Sequence, residues 1–78
     1  MDELAVGQIW LEVDPRFARH IRIESVGYGP RSIGVRTVVP DGGRWVEAPR
    51  SRASYCARER FNGKRGGYEL VLPAEQKD

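Results

Sequence analysis

One cysteine and one histidine are all that this 78-residue chain offers for thiol or imidazole chemistry. Cys56 has no second cysteine with which to close an internal disulfide, so the staples of small secreted domains are missing and a reducing, cytoplasmic setting is expected. A structural zinc site needs more ligands than His20 and Cys56 supply, so no metal and no cofactor is expected. A Cys56–His20 nucleophile pair would need a third group to orient the imidazole, and no local motif provides one. The chain is therefore expected to be no enzyme and to have no catalytic residue, with Cys56 serving as a small hydrophobe rather than a reactive thiol. Long apolar runs are also lacking. Nothing approaches the ~18 to 20 residues of a membrane span, and Asp2 and Glu3 stand where a secretory signal would carry bases. A soluble, unprocessed chain with no membrane partner is expected. At this length one small core can form, burying only ~60% of the unfolded surface. Residues 1–73 are assigned to that single domain and residues 74–78 to a frayed tail.

Lysine is scarce as well, since eleven of the thirteen basic residues are arginine. Forked guanidinium groups carried on short strands and glycine-rich turns suit phosphate or carboxylate recognition. The net charge of +2 conceals a segregation along the chain. Asp2, Glu3, Glu12 and Asp14 make residues 1–14 wholly acidic. Residues 16–36 carry Arg16, Arg19, Arg22, Arg31 and Arg36 against Glu24 alone. Residues 44–65 carry Arg44, Arg50, Arg52, Arg58, Arg60, Lys64 and Arg65 against Glu47 and Glu59. A basic face and a separate acidic segment follow if the fold keeps these stretches apart.

Alternation of apolar and polar residues marks the strands. Residues 6–13 place Ile9, Leu11 and Val13 on one face and Gln8, Trp10 and Glu12 on the other, outward side, where Trp10 is still expected to serve packing because coiled strands of small barrels bury part of both faces. Pro15 breaks this run, having no amide hydrogen for a ladder. Residues 19–26 turn Ile21 and Ile23 inward and His20, Arg22 and Glu24 outward. After the turn Gly27-Tyr28-Gly29-Pro30-Arg31, the row Ile33, Val35, Thr37 and Val39 faces in, leaving Gly34, Arg36 and Val38 outside. Asp41-Gly42 suits the positive φ angles of a two-residue type I′ turn leading into Arg44-Trp45-Val46-Glu47. Residues 51–61 are read as a short strand closing in a 3₁₀ turn; the alternative is a two-turn helix capped by Ser54 and stopped at Asn62-Gly63. Residues 68–72 form the last strand. Gly63-Lys64-Arg65-Gly66-Gly67 lacks the spacing of a phosphate-binding loop and reads as a hairpin loop. The fold class is thus all-β, with five or six short antiparallel strands. Their lengths fit a small Src-homology-3-like barrel with a short 3₁₀ turn before the last strand, a shape that removes exposed strand edges.

Matching inward residues across the sheet sets the register. It puts His20 beside Val38 and Trp45, and Arg22 beside Arg36 and Glu47, with one cation in surplus. The candidate binding residues are accordingly Arg22, Arg36, Trp45 and His20, extended by Arg50, Arg52, Arg58 and Arg60. An exposed indole beside arginines can stack a base while guanidinium groups hold phosphate. The expected partner is nucleic acid, and an acidic protein surface is the alternative. If a loop, the tail or a second copy covers Trp45, the indole serves packing instead.

Gly7-Gln8-Ile9-Trp10, Asp14-Pro15-Arg16, Arg19-His20-Ile21-Arg22-Ile23, Val26, Arg60-Phe61 and Gly67-Tyr68-Glu69-Leu70-Val71 together resemble a loose class of short uncharacterised proteins from bacteriophages and prophage-bearing bacterial genomes. The likeness spans most of residues 6–72. It implies a Src-homology-3-like barrel in a bacterial or phage cytoplasm, a setting in which relatives of that fold bind nucleic acid or another protein. It carries no site residues. The glycine spacing of ribosomal and elongation-factor barrels of the KOW type is not reproduced.

Overall fold

The computed structural model describes residues 4–14, 16 and 18–72. The alternating runs become strands β1 (Ile9–Glu12), β2 (His20–Val26), β3 (Ile33–Asp41), β4 (Arg44–Glu47), β5 (Ser54–Cys56) and β6 (Tyr68–Leu72), with a 3₁₀ turn at Arg58–Arg60. All pair antiparallel in one open sheet of order β4-β3-β2-β1-β6, with β5 also on β3. Residues 38–41 of β3 pair β4 and residues 33–35 pair β5, so β4 and β5 follow one another along the same edge. Residues 51–61 hold a strand and a 3₁₀ turn, not the two-turn helix. Among the described residues no helix is long and apolar enough to cross a membrane. The break at Pro15 and the tail at 74–78 lie outside the described residues.

One face of the sheet carries the core, where Trp10, Ile21, Ile23, Ile33, Val35, Cys56 and Tyr68 pack together with Leu4, Val26, Phe61 and Leu70 against them. Here β1 is the reverse of the sequence expectation. Trp10 faces in and is 4% exposed, while Ile9 lies on the opposite face. The indole removes more apolar area from water than isoleucine does, provided its N–H is satisfied. Gln8 provides that acceptor: its Oε1, itself buried, accepts from Trp10 Nε1 at 3.1 Å and from the Ala5 amide at 3.1 Å. The 3₁₀ turn closes with Phe61 N donating to Arg58 O, and delivers Phe61 edge-on to Trp10 at 5.0 Å and against Tyr68 at 5.1 Å.

Two features set the register of β3 against β2 and β4. A bulge in β2 leaves Glu24 without a partner across the sheet, because Ile23 pairs Val35 and Ser25 pairs Gly34. The extra residue lets Val26, rather than Ser25, align with Ile33. Gly34 is needed here, since a Cβ would overlap Ser25 Oγ and press on the Tyr55 ring. In the β3–β4 hairpin the central residues are Gly42 (φ 59°) and Gly43 (φ 83°), not Asp41-Gly42. Glycine takes positive φ at both positions without a Cβ penalty, which aspartate would carry at one of them. The result is a two-residue shift of β4, which keeps each side chain on its face but changes its neighbours. Trp45 now lies opposite Pro40 and Glu47 opposite Val38.

Burial pushes the Cys56 thiol above its ordinary 9.0 and the Tyr68 phenol above its ordinary 10.0, with the Arg60 cation pulling each part of the way back. Both groups stay neutral in the folded protein at a pH where the unfolded chain already ionises them. The unfolded state therefore loses protons first, and the stabilisation, complete at neutral pH, falls away as pH rises from about 9 through the folded values. A melting temperature that declines over this alkaline window is expected, with a shallower decline in a Cys56→Ala/Tyr68→Phe protein.

Candidate functional site

The face opposite the core is not a bare polar surface. Ile9 pairs Arg22, Leu11 pairs His20, Arg22 pairs Arg36 and His20 pairs Val38, so these side chains share one side. Val38, expected to be exposed there, is 1% exposed, and Ile9 is buried too. Trp45 is half-buried, its ring 4.6 Å from that of His20. The expected rows of His20, Val38 and Trp45 thus meet diagonally rather than on a single rung.

Arg22 and Arg36 stand side by side as the register predicts, an arrangement that repels unless it is neutralised. The expected surplus of positive charge is absent, because two carboxylates answer the two guanidinium groups. Arg22 Nε meets Glu24 Oε2 at 2.7 Å and Arg22 Nη2 meets Glu47 Oε2 at 3.7 Å. Arg36 Nε lies 3.6 Å from Glu24 Oε1 and Arg36 Nη1 lies 3.8 Å from Glu47 Oε1. Lacking a partner across the sheet, Glu24 is placed to reach both arginines. Arg22 also donates to Trp45 O at 3.4 Å, and Arg36 donates to Ser51 O at 3.2 Å. These bonds pin β4 and the 48–53 connection to the sheet. With side chains about a quarter exposed, the arginines are held by a shared ion-pair network rather than offered to a ligand.

Unpaired charge lies instead along the β3 edge. Arg44 opens β4, Arg50 and Arg52 sit in the connection to β5, and Arg31 lies in the β2–β3 turn. All four are exposed and enter no ion pair among the described residues. Arg50 has φ 62°, in the left-handed region that a non-glycine residue occupies at a cost of roughly 1 to 2 kcal/mol. Arg58 donates to Gly27 O at 2.8 Å, which ties the 3₁₀ turn to the β2–β3 turn, and it enters no ion pair among the described residues. Arg60 does not join this edge. It lies 3.6 Å from Glu12 Oε2, donates to Gly66 O and sits over the Tyr68 ring at 4.7 Å.

Of the residues singled out in the sequence, His20, Arg22, Arg36 and Trp45 are brought together, Arg50, Arg52 and Arg58 line the adjacent edge, and Arg60 belongs to the rim of the core. Sequence reasoning missed Tyr55, which is 62% exposed with its ring against Gly34, and the fully exposed Tyr28 beside the Arg58-bound turn. A three-residue strand is too short to show which way Tyr55 faces. The opposite edge of the sheet, β6, presents exposed Glu69 and no base. Cys56 lies in the core, its Sγ donating to Ile33 O at 3.8 Å, while His20 lies on the other face. No protein-family profile, curated protein or solved structure matches the chain.

Proposed function

We propose that this chain is a non-enzymatic binding module, a small barrel of Src-homology-3-like type acting in a bacterial or phage cytoplasm, that binds nucleic acid through the arginines of its β3 edge. The barrel assignment is supported by the β2-β3-β4 meander, the 3₁₀ turn and a last strand that returns to β1. The observation that carries the functional reading is Arg50. A cation with no carboxylate partner among the described residues is kept in a backbone conformation that glycine would adopt at less cost, which fits selection for its charge rather than for the fold. Arg44, Arg52 and Arg58 extend the same edge. The alternative partner is an acidic protein surface, favoured by an exposed Tyr55 bounded in sequence by arginines, a composition typical of interface anchors.

Titration of labelled oligonucleotides over a range of salt concentrations tests the proposal. Affinity is expected to fall linearly on a log–log plot as phosphate contacts release counterions. If neither single strands nor duplex bind more tightly than ~10⁻⁴ M near physiological salt, the weak end of ordinary non-specific binding, the nucleic-acid reading fails and the protein partner replaces it.

A further inference from the structure

Two aromatic side chains stand on the outer face at the β3 edge. Tyr55 pairs with Gly34 and Trp45 pairs with Pro40, and both partners lie on the same side of β3 as Arg36 and Val38. Six residue steps along β3 separate these rungs, roughly 20 Å at ~3.3 Å per residue. The connection carrying Arg50 and Arg52 runs between them, held to the sheet where Arg36 donates to Ser51 O. Beyond Tyr55 come Arg58 and the turn it binds, with Tyr28 exposed there. The order along the edge is therefore aromatic, arginine, arginine, aromatic, arginine.

We infer that this edge binds single-stranded nucleic acid in preference to duplex, with a base stacked on Tyr55 and phosphates held by Arg50, Arg52 and Arg58. The inference rests on the nucleic-acid reading above and makes it more specific. A duplex hides the faces of its bases, so Tyr55 would add nothing to duplex binding beyond the charge of its neighbours. A single strand exposes those faces, and every base has a π surface to stack. Cations without carboxylate partners on both sides of Tyr55 supply the backbone contacts that sequence-tolerant strand binding needs. Trp45 already has His20 against its ring, which makes Tyr55 the freer platform.

The test is fluorescence anisotropy of labelled oligothymidylate and of a duplex of equal length, each titrated with the parent protein, Tyr55→Ala and Tyr55→Phe, with poly-glutamate as an acidic competitor. The single strand is expected to bind at least tenfold more tightly than the duplex. Tyr55→Ala should weaken single-strand binding roughly 5- to 150-fold, the range for loss of one stacked base, with an unchanged salt slope. Tyr55→Phe, which keeps the ring, should bind like the parent. Tyr55 is exposed, so the melting temperature of each variant should match the parent and separate loss of contact from loss of fold. Duplex binding as tight as single-strand binding, or an unaltered affinity in Tyr55→Ala, overturns the inference while leaving the nucleic-acid reading in place. No binding to either oligonucleotide overturns both, as does poly-glutamate binding more tightly than either.

Discussion

Trp10→Ala is expected to leave the chain largely unfolded. The indole is almost wholly buried among Ile21, Ile23 and Tyr68, meets Phe61 edge-on, and is the reason Gln8 lies buried with its amide oxygen satisfied. Truncating a buried tryptophan to alanine removes its burial and opens a cavity, together about 3–5 kcal/mol. Domains as a class have only ~5–15 kcal/mol of stability, and one this small belongs near the low end. Trp10→Phe keeps a ring in the site but loses the hydrogen bond to Gln8, and should cost about 1 kcal/mol for that bond on top of the smaller ring. Urea unfolding followed by circular dichroism separates the three proteins. A Trp10→Ala unfolding free energy within about 1 kcal/mol of the parent would mean that β1 does not face the core as described.

The second large effect is expected in binding. Replacing Arg50 by glycine and Arg52 by alanine removes two exposed cations and no ion pair among the described residues, and glycine relieves the positive φ at residue 50. Stability should therefore hold or rise. Affinity for a single strand should fall roughly 25-fold at ~0.1 M salt, since each lost phosphate contact forfeits about 0.7 of a log unit per tenfold change in salt. A gain in stability paired with a loss of binding is the signature of charge kept for a partner.

Much of the fold can be read from alternation and turn chemistry. β6 ends where Leu72 precedes Pro73, and β3 and β4 flank glycines that permit a tight hairpin. The rungs from His20–Val38 to Ile23–Val35 follow from parity and a five-residue loop, whereas those beyond the bulge do not. The face of β1 could not be read, because Ile9, Leu11 and Val13 outnumber a single tryptophan flanked by Gln8 and Glu12. The deciding fact is that Gln8 satisfies the indole, a contact that no periodicity records. The β3–β4 register slipped because Asp41-Gly42 and Gly42-Gly43 are both good turn centres, and only the three-dimensional pairing distinguishes them. The candidate site shows the same division. Apposition of Arg22 and Arg36 follows from register, but the bulge that leaves Glu24 unpaired does not, so a neutral network looks in sequence like a surplus cation. The edge arginines were legible as charge, whereas their lack of carboxylate partners was not.

The most direct measurement is the slope of log affinity against log salt for single-stranded DNA, taken for the parent, for Arg50→Gly/Arg52→Ala and for the charge-neutral double variant Arg22→Ala/Glu47→Ala. With binding on the β3 edge, the first variant should lower the magnitude of the slope by about 1.4, the equivalent of two phosphate contacts on a single strand. The second should leave the slope unchanged, although losing part of the ion-pair network lowers its melting temperature. A slope unaffected by Arg50→Gly/Arg52→Ala but reduced by Arg22→Ala/Glu47→Ala would contradict the edge assignment and return the binding charge to the paired arginines of the outer face.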